Sequence, residues 1–346
     1  MQSPHVDRCI LLYGAYGHTA HFIILELLKK GFVPILAGRN RRKLEVASLM
    51  HGGLEVRVAL VDDSVALDNA FKSVRAVINA AGPFALTANP LIAAAARARV
   101  SYLDIAAEPD VVASTIDQFG EHVGAAGIAV APAIGFFGGL GNLLATAAMG
   151  DWSQADKITL AYWLSSWIPT VGTITTINVA DKRRRGQRLV FTNHQLELRN
   201  NKAAVADWDF PSPIDRQKVV TEFTTADAVT ISHHLKTRDI FSYMTLAPLK
   251  DLSGADLSTF QSVDFRGRSD QTFFVEAVAH SGSHQRRAIA RGQDIYAVTA
   301  PLVVQALLRM LNRPQQWQGI VTAGEMGDAR SYLEALMPQH MTVEFQ

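Results

Sequence analysis

Residues Cys9 to Lys43 read CILLYGAYGHTAHFIILELLKKGFVPILAGRNRRK, and the order of residue types in that stretch decides the fold. The apolar run Cys9 to Tyr13 suits a buried parallel strand. Gly14, Gly17 and Ala20 mark a tight turn into a helix predicted to reach about Lys30. Gly31 ends that helix, and Phe32 to Ala37 reads as a second strand. A strand, a glycine turn, a helix and a strand make a βαβ unit whose turn receives a dinucleotide pyrophosphate. Gly14 supplies the positive φ that a side chain resists. Gly17 leaves room for phosphate oxygens, and Ala20 lets the helix lie against the first strand. The backbone N–H groups of Gly17, His18 and Thr19, with Tyr16 in the same turn, are expected to face the anion. The spacing is G-x-x-G-x-x-A rather than G-x-G-x-x-G, so the βαβ context carries the reading.

The end of the second strand discriminates between nucleotides. An NAD site places a carboxylate there for the ribose hydroxyls, whereas this strand runs into Arg39, Asn40, Arg41, Arg42 and Lys43, with no acid before Glu45. A guanidinium binds a 2′-phosphate through charge-assisted hydrogen bonds. Arg39, supported by Asn40 and Lys43, therefore predicts NADP(H) over NAD(H).

Outward from that unit, strands and helices alternate. Arg41 to His51 reads as a helix and Leu54 to Val61 as a third strand, ending at Asp62 and Asp63. An aspartate there suits the adenine amino group, or alternatively caps the following helix, Ala66 to Phe71. Ala76 to Asn79 is a fourth strand leading into Ala80, Ala81, Gly82, Pro83 and Phe84, small residues that bring backbone close to a ligand. Pro90 is read as the start of a helix, Leu91 to Arg99. Val100 to Ile105 is a fifth strand that delivers Asp104 and Glu108 to the same edge. A helix over Val111 to Ala126, a strand over Ile128 to Ala131, a glycine-rich loop and a helix from about Asn142 to Met149 follow. Phe84, Phe136 and Phe137 are expected to wall a partly apolar substrate pocket. Such alternation predicts an α/β, doubly wound parallel sheet.

The set GAYGHTA (14–20), LAGRNRRKL (36–44), VINAAGPF (77–84), YLDIAAEP (102–109) and APAIGFFGGLGN (131–142) resembles the saccharopine dehydrogenase-like family. IYAVTAPLVVQALLRML (295–311) and GIVTAGEMGDARSYLEAL (319–336) resemble its closing helices. The resemblance implies an NAD(P)-dependent oxidoreductase with a Rossmann domain, a substrate domain inserted before the closing helices, and a homodimer. It does not imply saccharopine as substrate, since the family includes lysine-pathway enzymes, trans-acting enoyl reductases of lipid metabolism and other reductases. His18 stands where many relatives carry an aromatic residue, and Ala20 where the third glycine stands.

The middle of the chain has a different texture. Lys157–Trp163, Thr173–Val179, Arg188–Phe191, Val219–Val220, Ala228–Ile231, Ile240–Leu246 and Thr272–Ala277 are rich in β-branched and aromatic residues and are read as strands. They predict a second, α+β domain of mainly antiparallel sheet over 151–290. Residues 1–150 and 291–346 are assigned to the Rossmann domain, with the C-terminal helices returning to it. Asp207 to Pro213 is read as an exposed loop, and Lys182 to Arg185 as a solvated hairpin. Tyr162, His194, His233, His234, Tyr243 and His280 are candidate proton donors, none singled out. Trp163 and Trp167 suit the core better than a pocket wall.

Composition sets the outer limits. A chain of 346 residues suits two domains, and a formal net charge of +1 offers no global attraction to nucleic acid or anionic lipid. The single cysteine, Cys9, fits a reducing, cytoplasmic setting. MQSPHVDR lacks the apolar core of a signal peptide. Val123 to Gly150 carries no charge, but Pro132 and seven glycines favour a strand, a loop and a buried helix over a membrane span. No C-x-x-C spacing is present, so no metal is expected. The chemistry is then that of an NADP(H)-dependent oxidoreductase acting on a small molecule, or alternatively of a non-catalytic NADP(H) sensor.

Overall fold

The computed structural model describes residues 8–253, 262–264 and 266–346. In the first half, β1 (Cys9–Tyr13), α1 (His18–Lys29), β2 (Val33–Gly38), α2 (Arg41–Met50), β3 (Val56–Val58) and α3 (Ser64–Ala70) alternate. They continue as β4 (Ala76–Asn79), α4 (Phe84–Ala98), β5 (Ser101–Asp104), α5 (Pro109–Ala125), β6 (Ala129–Ala131) and α6 (Leu140–Met149). The second half contains β7 (Ala155–Leu164), α7 (Val171–Arg184), β8 (Arg188–Thr192), β9 (Gln195–Arg199), β10 (Val205–Asp209) and β11 (Arg216–Val220). It continues with α8 (Asp227–Ser232), β12 (Thr237–Thr245), α9 (Leu246–Ser253), β13 (Thr272–Ser281) and β14 (His284–Gln293). The chain closes with α10 (Ile295–Asn312), β15 (Gly319–Ile320), α11 (Ala329–Glu334) and β16 (Met341–Phe345).

The first sheet has the order β15-β6-β5-β4-β1-β2-β3 and is parallel throughout. Its strand order reverses between β1 and β4, where Tyr13 stands beside Asn79. In open α/β sheets the ligand crevice lies at that reversal, beyond the carboxyl ends of the strands. The period-two alternation of a strand explains the two layers. Ile10, Leu12 and Ile78 join the core shared with α1 and α10, whereas Leu11, Tyr13 and Val77 pack into a second core with α3 and α4. With both faces covered, β1 is apolar throughout and needs no polar alternation.

The second sheet is mixed. Its main path is β10-β11-β12-β7-β13-β14-β16, with β8 and β9 branching from β12. Among the described residues only β12 and β7 run parallel; its other pairings are antiparallel. Ile158, Leu160, Tyr162, Val275 and Ala277 on one face enter the same core as α6 and α10, so the two sheets share one continuous apolar interior. The opposite face is covered by Trp208, Phe210 and Tyr243 around Ala161, Phe274 and Ile289. Helix α10 returns to α1, and β15 joins the first sheet, but β16 pairs with β14 in the second. Residues 341–345 therefore lie apart from the domain expected for 291–346. Among the described residues, α10 is the one helix long and apolar enough to cross a bilayer, and two-thirds of it is buried in the core. The uncharged tract 123–150 divides into the end of α5, β6, a glycine loop and buried α6.

Several local expectations are corrected. Residues 173–179 form helix α7 rather than a strand: Thr170 caps it by accepting from Thr173 N–H at 3.1 Å, and Thr175 satisfies its hydroxyl on the Val171 carbonyl. Helical capping and tertiary docking outweigh the β preference of its threonines and isoleucines, a preference that depends on context. Residues 228–231 form the short buried helix α8, and Lys182 to Arg185 end α7 instead of turning a hairpin. There Arg183 and Arg184 pair with Asp110. Residues 207–209 belong to β10, and Phe210 is buried, so the loop begins only after it. Helix α4 starts at Phe84 and carries Pro90 inside it. An early start is possible because Glu108 Oε1 accepts the Phe84 N–H, satisfying a first-turn donor.

Candidate cofactor and substrate site

The turn after β1 is shaped by two glycines with different tasks. Gly14 sits at φ +83°, and a Cβ there would lie 2.8 Å from the backbone of Ala81. The β1 and β4 loops thus touch at the switch point only because Gly14 lacks a side chain. Gly17 caps α1 in an extended conformation without a side-chain partner. Its N–H turns inward to the Gly14 carbonyl at 2.9 Å, so it does not face an anion as expected. The first turn of α1 holds no acid, which leaves the positive end of the helix dipole unopposed.

A cavity of about 1140 Å³ runs from this turn along the carboxyl edge of the sheet. Gly14, Tyr16, Gly17, His18, Thr19, Arg39, Lys43 and Asp62 line its first part, and Ala80, Ala81, Gly82, Pro83 and Phe84 its middle. Glu108, Phe136 and Phe137 line the far part with Trp167, Phe223, Tyr296 and the inner side of α7. Arg39 is exposed and has no salt bridge among the described residues, whereas neighbouring Arg41 is 3.8 Å from Glu45. Lys43 lies 5.7 Å over the Tyr16 ring. A basic, solvent-facing end at β2 and a glycine turn at β1 fit the 2′-phosphate and the pyrophosphate of an NADP molecule.

Three expected residues make hydrogen bonds within the fold. Asn40 caps α2 by accepting from Lys43 N–H at 3.0 Å and lines a neighbouring cleft that shares Tyr16, Gly17, His18 and Lys43 with the cavity. Asp63 caps α3 by accepting from Ala66 N–H at 2.9 Å, which leaves Asp62 on the cavity wall. Asp104 is buried away from the cavity. It accepts N–H groups from Ala106 and Ala133 at 3.0 and 2.7 Å and the Tyr102 hydroxyl at 2.9 Å. This carboxylate braces the loops after β5 and β6 against each other, and burial raises its pKa.

Glu108 occupies the wall itself. It is 5% exposed; Oε1 accepts from Phe84 N–H at 3.1 Å and Oε2 from Ala107 N–H at 3.0 Å. Burial pushes its pKa up to about 7, against the lowering by these hydrogen bonds. A carboxyl that exchanges a proton near neutrality beside a cavity has the chemistry of a general acid or base.

None of the candidate proton donors Tyr162, His194, His233, His234, Tyr243 and His280 lines the cavity. Tyr162 is fully buried, and His234 is held by Thr146 at 3.0 Å. Of the two tryptophans, Trp163 packs on the outer face of the second sheet, and Trp167 is buried in the main core as expected while also reaching the cavity wall. Tyr296 was not singled out by any local signal. Its hydroxyl meets Thr173 Oγ1 at 3.0 Å and the Thr170 N–H at 3.4 Å, tying the start of α7 to α10. Helix α7 then closes over the middle of the cavity: a Cβ on Gly82 would stand 2.5 Å from Thr176 Oγ1. Among the described residues no group of three or more His, Cys, Asp or Glu is placed to hold a metal.

The strand order, the switch-point turn and the cavity leading away from it define a dinucleotide-binding protein with a second domain over the site. Residues 10–130, about a third of the chain, match the family described as "Saccharopine dehydrogenase NADP binding domain". NADP(H) is therefore the cofactor of this domain. A probable mitochondrial saccharopine dehydrogenase-like oxidoreductase of Arabidopsis thaliana is 25% identical over 150 residues, 39% of this chain and 33% of that protein. The match thus spans about a third of that relative's length. The apo histidine-tagged saccharopine dehydrogenase (L-Glu forming) from Saccharomyces cerevisiae superposes with a TM-score of 0.68 over 98% of this chain and 100% of that one. At 12% identity, the latter likeness is one of fold.

Proposed function

We propose that this chain is an NADPH-dependent reductase of a C=O, C=N or activated C=C bond in a small, partly apolar metabolite. The observation that carries the reading is the continuity of the cavity. A single space of about 1140 Å³ joins the glycine turn to an aromatic-walled chamber with a protonatable carboxyl on its wall. A sensor that only reports the cofactor has no need of that chamber, and its size favours catalysis.

When bound, NADPH supplies a hydride to an electrophilic carbon and leaves as NADP⁺. The chain's part is to hold and orient. The first turn of α1 takes the pyrophosphate, and Arg39 with Lys43 takes the 2′-phosphate. The 80–84 backbone, with no side chain larger than proline before Phe84, allows a flat ring to lie close to β4. Glu108 holds a proton that balances the hydride, delivering it to the substrate's oxygen, nitrogen or α-carbon. Helix α7, fixed by Tyr296, excludes water over the reacting groups.

The test is a titration with NADPH and NADH followed by NADPH consumption against carbonyl, imine and enone compounds. Tight NADPH binding with turnover of at least one class supports the proposal. Failure to bind either nucleotide overturns it.

A further inference from the structure

We infer that the substrate chamber is built for an uncharged, apolar carbonyl or enone compound and excludes carboxylate-bearing substrates. The inference rests on the reductase reading and narrows its substrate class. Three observations carry it.

Beyond the nucleotide end, the described cavity wall contains two guanidinium groups, Arg184 and Arg188, and both are already committed. Arg184 pairs with Asp110 at 3.1 Å and lies 3.6 Å from Asp181, while Arg188 pairs with Glu222 at 2.8 Å. These pairs are largely shielded, with side-chain exposures of 13% for Arg184, 16% for Arg188 and 15% for Glu222. Drawing either arginine to a substrate carboxylate would strand a protein carboxylate in a poorly solvated place, which is costly. Glu108 adds a further acidic group on the same wall. His18, which borders the chamber, has its pKa lowered by burial and supplies no fixed cation. An anionic substrate therefore meets paired or acidic groups.

Among the threonine hydroxyls of the remaining wall, such as Thr173, Thr176 and Thr225, the chamber carries one aromatic face. Phe136 and Phe137 lie 4.9 Å apart, and Phe137 is 5.6 Å from Trp167 and 5.9 Å from Phe223, ring centre to ring centre. These rings form one connected wall suited to stacking against a flat or aliphatic group. The rim of the cavity is apolar as well: Leu86 is 58% exposed and Val171 66% exposed, and both border the opening. Apolar side chains left in water at a cavity mouth mark the path of an apolar ligand.

The decisive experiment compares two ligands that differ only in charge beside the carbonyl, benzylideneacetone and benzylidenepyruvate. Binding of each to the full chain with NADP⁺ bound is measured by isothermal calorimetry. Benzylideneacetone is expected to bind about tenfold or more tightly than the acid. Phe137→Ala should weaken the neutral enone by about tenfold, with NADP⁺ affinity measured alongside as the control for folding. If Phe137→Ala does not fold, the wild-type pair of affinities alone decides. Equal or tighter binding of benzylidenepyruvate overturns the inference, all the more if Arg188→Gln abolishes it. Binding of NADP⁺ with neither enone also overturns it. Absence of NADP⁺ binding instead overturns the reductase reading from which the inference starts.

Discussion

Glu108 Oε1 accepts the N–H of Phe84 at 3.1 Å, so the loop after β5 holds the first turn of α4 at the carboxyl edge of the sheet. That hydrogen bond gives one side chain two tasks. It caps a helix, and it keeps a protonatable group on the cavity wall.

The first prediction concerns pH. With a folded pKa near 7 and an unfolded value near that of ordinary glutamate, roughly 4.3, the native state holds the extra proton between the two values. Stability contributed by this group is therefore present below the unfolded value and is lost as pH rises to about 7, a change of about 4 kcal/mol. Glu108→Gln should remove that slope, whatever its pH-independent cost. Urea unfolding at about pH 5 and about pH 8 reads the wild-type-minus-variant difference. Parallel curves for the two proteins would show that Glu108 does not titrate in this window.

A second prediction follows from the contact between Gly14 and Ala81. Gly14→Ala places a Cβ 2.8 Å from Ala81 backbone at φ +83°, combining overpacking with left-handed strain. The expected cost is about 2 kcal/mol or more, with NADPH affinity reduced because the turn and the 80–84 loop must separate. Thermal melting and nucleotide titration read the two effects. A variant with wild-type stability would mean that the turn relaxes without disturbing β4.

Arg39 tests nucleotide choice. Loss of one charge-assisted contact costs about 1.5–3 kcal/mol, so Arg39→Ala should weaken NADPH by roughly tenfold to 150-fold and leave NADH nearly unchanged. Nucleotide dissociation constants, measured in pairs, decide the matter. Equal losses for both nucleotides would remove Arg39 from the 2′-phosphate site.

Asp104 should behave as a brace rather than as a site residue. Asp104→Ala leaves two buried N–H groups and the Tyr102 hydroxyl without their acceptor, at an expected cost of about 3 kcal/mol. A chemical denaturation midpoint reports it. Lost turnover at unchanged stability would assign Asp104 to the chemistry instead.

The order of residue types from Cys9 to Lys43 was sufficient to specify the first βαβ unit, its turn and the cofactor, because each depends on local rules. Only glycine takes Gly14's φ beside Ala81, and an arginine in place of an acid after β2 reverses the local charge. The same locality explains Asn40 and Asp63: a cap and a cofactor contact have one signature at helix starts, and only the hydrogen bonds to Lys43 and Ala66 separate them. In the second half local rules were weaker. TITTINV at 173–179 has the composition of a strand, yet Thr170 caps it as a helix, and Tyr296, over a hundred residues away, holds that helix in place. The chamber depends on such distant partners throughout. Whether Arg184 and Arg188 are free or paired is set by Asp110 and Glu222 on other elements. Sequence alone thus determined the nucleotide fold and its glycine turn, since those are properties of one βαβ unit. The tertiary structure decided which carboxylate reaches the cavity and which is buried as a brace, because burial and pairing arise only when separate elements meet.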